Sequence, residues 1–357
     1  MKKHEERLTE AILTLLSTWR FRALPFRENR TPYRVLVAEF MLQQTQTTTM
    51  QSYFDRFMKK WPTVEALANA KEEDVYHAFS GLGYYRRAGF LHRTAKQIVA
   101  EYDAVVPASV DKLLTLPGIG PYTASAIASI AFAIPVAAVD GNIVRVLSRL
   151  LAEPWQRNNQ KDLREVKTAL ELVLQKEDIH AGDVNEALMD LSATTCKPKN
   201  PECSLCPIKR YCLAYDTDSI KKYPRPPKTK EKTNVHLTYL ILTDATGVYV
   251  RRRTESLLRN TYEFIRVEED HAELIPELEA AKDGGSLVHT FSHRVWHVHF
   301  KKADRPFVNV GETDRQLQVG SLTYQHVTFD ELSRLPFSSL FKKKIKELLD
   351  KHVKQKG

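Results

Sequence analysis

The chain has 357 residues, a length suited to two domains, and its 43% hydrophobic content is enough for a core in each. Lys and Arg number 53 against 44 Asp and Glu, and the resulting charge of +9 draws the chain towards polyanions, chiefly nucleic acid or an anionic membrane surface. A secreted or membrane-spanning chain is not expected, on two grounds: MKKHEERLTEAIL has acidic residues where a signal peptide needs an apolar core, and the low-charge stretch 123–139 is short and broken by Pro135.

Residues 1 to about 212 read as helical. Leu8, Ala11, Ile12, Leu15 and Leu16 recur with helical period. Thr31-Pro32 is a start signal, and the helix it opens is expected to run to about Tyr53. Further helices are predicted over 72–80, 85–102, 109–115, 121–133, 141–151, 160–177 and 181–191, with no strand before residue 196. Residues 213–234 include IKKYPRPPKTKEKT, dense in Lys and Pro, and read as a linker. From 235 to 357 the period falls to two: Val235, Leu237, Tyr239 and Ile241 alternate, as do Trp296, Val298 and Phe300. This second domain is expected to be α+β, with strands first and a basic helix over about 330–352.

Four motifs carry chemistry. Cys196, Cys203, Cys206 and Cys212, spaced C-x6-C-x2-C-x5-C, are the only cysteines of the chain. Two local disulfides and a zinc site are the alternatives. Disulfides are rare in a reducing compartment, and zinc sites usually pair two short C-x2-4-C knuckles, of which only Cys203 and Cys206 form one. A cubane iron–sulfur cluster, held by four thiolates around a larger object, suits the loop better.

In Leu116-Pro117-Gly118-Ile119-Gly120-Pro121-Tyr122-Thr123-Ala124, two glycines permit a tight turn and Pro121 opens a helix. Free N–H groups at such a turn form an anion site, so Gly118 and Gly120 are candidates for gripping phosphate. Asp140 directly precedes an apolar helix; it is either a plain N-cap or a carboxylate held in place by helix-start N–H groups. On its own helix Glu39 has Val35, Leu36 and Leu42 as face neighbours, which suggests a desolvated carboxyl that keeps its proton near neutral pH. A half-exposed Glu is the alternative.

LPFR, TPYRVLVAEFMLQQTQ, GLGYYRRA, LPGIGPYTA, VDGNIVRVLSRL, NEALMDLSATTC and the cysteine loop follow one another as in MutY-type adenine DNA glycosylases. The first domain resembles that family over nearly its whole length: a helix-hairpin-helix glycosylase closed by a [4Fe–4S] loop. The second resembles the family's Nudix-like module, without the carboxylate-rich hydrolase box. The resemblance implies removal of adenine mispaired with 8-oxoguanine, or with guanine, from double-stranded DNA by base flipping. It assigns Glu39 as general acid at adenine N7 and Asp140 as the carboxylate facing the oxocarbenium ion. Tyr122 and Asn142 position the region and the attacking water. Tyr122 also fills the slot that holds a Schiff-base lysine in endonuclease III-like lyases, so base removal is expected to be hydrolytic and monofunctional.

The resemblance further implies that Gln44 and Tyr84 wedge into the duplex and that Arg27, Leu42 and Glu186 line the adenine pocket. Phe291, Ser292 and His293 read the oxidised guanine. Phe26 and Tyr262 stand where the family usually has Trp, which bears on substrate preference rather than reaction type. A lyase of the endonuclease III type and a catalytically silent iron–sulfur DNA-binding protein are the competing readings. A monomer without membrane association, working at nucleoid DNA in a bacterial cytoplasm, is expected.

Overall fold

The computed structural model describes residues 2–20, 22–45, 47–79, 82, 86–226, 231–258, 261–267, 274–291, 293–304 and 315–356. The chain divides into two compact units, Met1–Lys228 and Thr229–Gly357.

The described part of the first unit contains helices and no strand. Its helices are α1 (Lys2–Thr18), α2 (Pro32–Leu42), α3 (Thr47–Lys60), α4 (Val64–Ala68), α5 (Glu72–Ala78), α6 (Arg86–Glu101), α7 (Val110–Leu114), α8 (Pro121–Phe132), α9 (Gly141–Leu151), α10 (Gln160–Leu174), α11 (Ala181–Thr194) and the short α12 (Leu213–Asp216). Two apolar clusters hold them together. The first runs from Leu24 to Ala138 and joins α2 through α8. The second joins α1, α9, α10 and α11 and is backed by Cys196, Cys206 and Cys212. Met189 of α11 packs against both. The catalytic candidates Glu39, Tyr122 and Asp140 sit along this seam, where side chains from both layers converge.

In the first unit two sequence expectations change. The helix opened by Pro32 stops at Leu42 rather than near Tyr53, and α3 starts afresh at Thr47. Between them Gln44 takes a left-handed backbone (φ 58°), which no helix can continue. Residues 213–226, expected as linker, carry α12 and a 3-10 turn (Ile220–Lys222), and they bond to the helical unit: the Arg225 N–H donates to the Trp155 carbonyl at 3.0 Å. Arg149 supplies a further anchor, donating to the Tyr223 carbonyl at 3.0 Å. Prolines and lysines describe an exposed surface here; they did not reveal these pairings.

The second unit is α+β. Its strands are β1 (Thr233–Thr243), β2 (Gly247–Arg252), β3 (Tyr262–Glu263), β4 (Ile265–Val267), β5 (Lys282–Thr290), β6 (Arg294–Asp304), β7 (Gln316–Val319) and β8 (Leu322–Thr328). They are ordered β5-β6-β1-β2-β8-β7, with β3 beside β2 and β4 beside β1. The β1–β6 pair is parallel, Val235 opposite Trp296 and Tyr239 opposite Phe300, so the two alternating apolar sets fall on one face. That face packs on α14 (Phe329–Arg334) and α15 (Ser339–Lys356) through Phe329, Leu332, Phe341 and Leu348. The opposite face buries Leu240, Leu242, Ile265 and Tyr324 beside the short α13 (Ile275–Glu279).

Candidate active site

Glu39 lies in the last turn of α2, only 6% exposed. Its neighbours Val35, Leu36 and Phe40 are wholly buried or nearly so, and Leu42 is half-buried against the same core. Burial, reinforced by the charge of Glu186, pushes its pKa up to about 8, against a smaller opposing pull from Arg27; Asp140 raises it further. At pH 7 roughly ten such side chains carry a proton for each that does not. This is the desolvated acid that the spacing of apolar neighbours suggested.

Asp140 caps α9. Its Oδ1 accepts from the Asn142 N–H at 2.8 Å and the Ile143 N–H at 2.9 Å, and its Oδ2 accepts from Asn142 Nδ2 at 2.7 Å. The carboxylate therefore meets three donors at the positive end of a helix. Asn142 is held in turn, its Oδ1 accepting from Arg145 Nη1 at 2.9 Å. Arg145 also donates to the carbonyls of Ser192 (2.9 Å) and Cys196 (2.8 Å). One buried guanidinium thus joins the catalytic candidate, the end of α11 and the first cysteine.

Tyr122 enters from the first turn of α8. Its hydroxyl lies 3.6 Å from Met189 Sδ. Burial raises its pKa well above the ordinary phenol value, and the charges of Glu39 and Asp140 raise it further. The three groups are therefore close enough to act on one another, although they come from α2, α8 and the start of α9.

The remaining wall is an ion network unseen in the sequence. Arg27 Nε meets Glu186 at 3.0 Å, and its two terminal nitrogens grip Asp190 at 2.7 and 3.1 Å. Arg22 Nε reaches the same Asp190 at 2.7 Å, and Trp19 Nε1 donates to it at 3.4 Å. Arg30 pairs with Glu186 and, at 2.6 Å, with Asp183. Burial works to raise Asp190, but the hydrogen bonds and charges of Arg27 and Arg22 outweigh it and hold the carboxyl below its ordinary range. For Glu186 burial wins and the pKa is raised. Asp190 lies four residues after Glu186 on α11, the only sequence hint that the two share a face. Their partners lie more than 150 residues away, and no periodicity reports that.

The hairpin turn is built as read. Gly118 has φ 80°, and a Cβ there would lie 2.6 Å from Phe90 Cβ and 3.0 Å from Phe40 Cε1. Gly120 caps α8 with open space where a Cβ would sit. Thr94 Oγ1 fixes the turn by donating to the Pro117 carbonyl at 2.8 Å.

The four cysteines are half-buried and free of disulfides. Arg149 Nη1 points at Cys196 Sγ (3.4 Å) and also donates to the Lys197 carbonyl at 2.8 Å. Burial pushes Cys206 up to about 12, and the neighbouring thiols Cys196, Cys212 and Cys203 add to the shift. Among the described residues no set of three or more His, Cys, Asp or Glu side chains closes on a single metal ion. A soft all-thiol donor set with apolar backing and a guanidinium on one sulfur fits a larger thiolate-held cluster better than a lone ion.

Of the residues that the sequence resemblance assigns to DNA contact, Gln44 is exposed on its left-handed backbone. Tyr84 and Ser292 lie outside the described residues. Phe291 packs edge-on against Trp296 with ring centroids 4.9 Å apart. His293 lines a cavity of about 390 Å³ in the second unit, together with Arg253, Arg266, Leu237 and Trp296.

Comparison with known proteins accords with this geometry. Residues 37–174 match the HhH-GPD superfamily of base excision DNA repair proteins. The adenine DNA glycosylase of Buchnera aphidicola (subsp. Schizaphis graminum) is 33% identical over 233 residues, 65% of this chain and 66% of the relative. The human adenine DNA glycosylase is 42% identical over 201 residues, 55% of this chain and 36% of the relative. The chain thus spans just under two thirds of the first relative and little more than a third of the second. Among solved structures, a thermostable thymine-DNA glycosylase aligns at 28% identity with a TM-score of 0.53, covering 60% of this chain and 98% of that one. A non-covalent endonuclease III–DNA complex, at 22% identity and a TM-score of 0.52, covers 61% of this chain and 99% of that one and shares the fold. On motif order, site geometry and these likenesses together, residues 37–174 carry an HhH-GPD base excision repair domain, and the chain is similar to adenine DNA glycosylases.

Proposed function

We propose that the protein is a monofunctional DNA glycosylase that hydrolyses the glycosidic bond of adenine paired with 8-oxoguanine, or with guanine, in double-stranded DNA. The observation that carries this reading is the pairing of a buried, protonated Glu39 with a caged Asp140 carboxylate at one seam. An acid that keeps its proton at pH 7 is suited to hand it to the departing base at N7, so that adenine leaves neutral. A carboxylate fixed by three donors is suited to face the sugar cation that remains. Water then adds to the sugar carbon, its oxygen forming the new bond and its proton passing to a carboxylate. The division of labour is that of a two-carboxylate glycoside hydrolase.

Adenine stacked inside a duplex cannot reach a carboxyl that is 6% exposed, which supports extrusion of the base. Exposed Gln44, with Tyr84, is assigned to fill the space left behind. Arg27, locked by Asp190, and Glu186, held by Arg27 and Arg30, offer a donor and acceptor pair to the edge of the base. Gly118 and Gly120 present backbone N–H groups to a phosphate, a contact without sequence information. Phe291, Ser292 and His293 are assigned to the oxidised guanine in a Nudix-like second unit. Tyr122 gives the site no amine for a Schiff base, which supports simple hydrolysis.

Cys196, Cys203, Cys206 and Cys212 would hold a [4Fe–4S] cluster. When bound, it would supply a rigid closure of the loop, and Lys197, Lys199, Lys209 and Arg210 around it bring the positive charge. The chain's own residues do the rest: Arg149 orients Cys196, and Arg145 ties the loop to Asn142 and so to Asp140. The +9 charge fits work on DNA, a polyanion, and the protein is assigned there as a cytoplasmic monomer. Among the described residues no helix is long and apolar enough to cross a membrane.

The test is a panel of duplexes carrying A·8-oxoguanine, A·G, A·T and C·8-oxoguanine, each developed with and without alkali. Strand scission at adenine in the first two only, and only after alkali, is the expected result. Scission without alkali, or a DNA adduct trapped by borohydride, would establish a lyase instead.

A further inference from the structure

Arg87 is completely buried in the second position of α6, and its guanidinium is committed to the far end of α2. Nη1 donates to the carbonyls of Phe40 (3.2 Å), Met41 (2.6 Å) and Gln43; Nη2 donates to Thr45 Oγ1 (2.9 Å) and the Leu82 carbonyl (3.3 Å). The first two acceptors are among the last carbonyls of α2, which have no partner within the helix. A cation there also complements the helix dipole. Capping alone does not account for the rest of the set. Gln43 and Thr45 flank Gln44 on either side, and Arg87 holds both.

Gln44 has the backbone (φ 58°) that side-chain-bearing residues rarely adopt, and its side chain is exposed. A strained residue persists where its surroundings over-determine it. Here Arg87 grips both neighbours, Gln43 Nε2 donates to the Gly118 carbonyl of the hairpin at 3.3 Å, and the Thr45 N–H returns to the Leu42 carbonyl at 3.1 Å. The knot also takes in Leu82, just before the segment that carries Tyr84.

We propose that Arg87 is a positioning residue for the DNA-inserting Gln44, binding α2, the hairpin turn and the segment before Tyr84 into one unit so that the wedge meets the duplex already in its working conformation. The inference rests on reading Gln44 as the residue that enters the duplex. It acts on binding and base extrusion and leaves the proton transfer by Glu39 alone.

A double-mutant cycle separates this role from general support of the fold. Arg87→Lys keeps the charge but loses the fork that reaches Gln43 and Thr45 together. Thr45→Val removes one acceptor and leaves Arg87 in place, so it serves if the lysine variant folds poorly. The full chain is measured on an A·8-oxoguanine duplex with 2-aminopurine beside the adenine, reading affinity, unstacking fluorescence, and the single-turnover rate at saturating protein across pH. Either substitution is expected to weaken affinity and unstacking roughly tenfold, and less than about twofold when Gln44 is already Ala. The saturated rate and its fall near pH 8 should stay where they were. Equal losses in both backgrounds, or a loss of saturated rate with affinity kept, would overturn the proposal. If the parent protein releases no adenine, the function itself is wrong; if it does, and Gln44→Ala behaves like the parent, only the inference about Arg87 falls.

Discussion

Glu39→Gln should stabilise the protein, and by an amount that grows with pH. The folded carboxyl titrates near 8 against an ordinary value of 4.5. One pKa unit corresponds to about 1.4 kcal/mol, so ionising Glu39 inside the fold costs on the order of 5 kcal/mol more than in the unfolded chain. The folded state holds the proton more tightly. The associated stability is therefore complete below about 4.5 and is lost as pH climbs towards 8. Gln has the same shape and nothing to ionise. Denaturant unfolding of both proteins should agree within about 1 kcal/mol at pH 5, and the variant should lead by about 4 kcal/mol at pH 8 with little change above. The same variant should lose adenine release by a factor on the order of 10² to 10⁴ while still binding the duplex. Parallel stability–pH curves for the two proteins would show that Glu39 is already ionised in the native state, and the acid role would fall with it.

Asp140→Asn should lose base release on the order of 10²-fold or more. It should melt within about 1 kcal/mol of the parent, because Asn caps a helix as well as Asp. Thermal melts beside single-turnover kinetics check both halves. Gly118→Ala should destabilise the fold by roughly 1–3 kcal/mol, because its positive φ and contact with Phe90 leave no room for a methyl group. Gly120→Ala meets open space, so it should melt normally and lose only DNA affinity; equal melting of the two variants would remove the steric argument. Iron and sulfide should each approach about four per chain in anaerobic preparations, and Cys206→Ala should lower both. Stoichiometric zinc in their place would overturn the cluster assignment.

Local signals were legible in the sequence where one residue's neighbours along the chain decide its fate. Asp140 before an apolar run becomes a cap over a helix whose bounds match the predicted 141–151. Glu39 among Val35, Leu36 and Leu42 is buried as its face neighbours implied. Alternation around Trp296 and Val235 predicts strands; burial follows it along β6, whereas β1 is buried on both faces from Tyr239 to Leu242. What stayed hidden depends on partners far along the chain. Asp190 in an apolar helix gives no sign that Arg22 and Arg27 converge on it. Arg87 looks like any basic residue of a surface helix, yet it is wholly buried and terminates α2. That termination is why the helix expected to reach Tyr53 stops at Leu42: apolar period continues across the break, while the break is made by carbonyl acceptors and a guanidinium from another helix. Thr31 shows the converse limit. It stands at the N-cap position, as Thr-Pro implies, with extended backbone but no side-chain capping bond.

The central claim is that a neutral buried acid and an ionised carboxylate embrace one extruded adenine. A crystal structure of the Glu39→Gln protein on an A·8-oxoguanine duplex measures it most directly. The account predicts adenine out of the helix, its N7 beside the amide introduced by that substitution, its sugar carbon towards Asp140, and Gln44 in the vacated stack. An adenine still stacked in the duplex, or lodged in a pocket away from these two side chains, would contradict it.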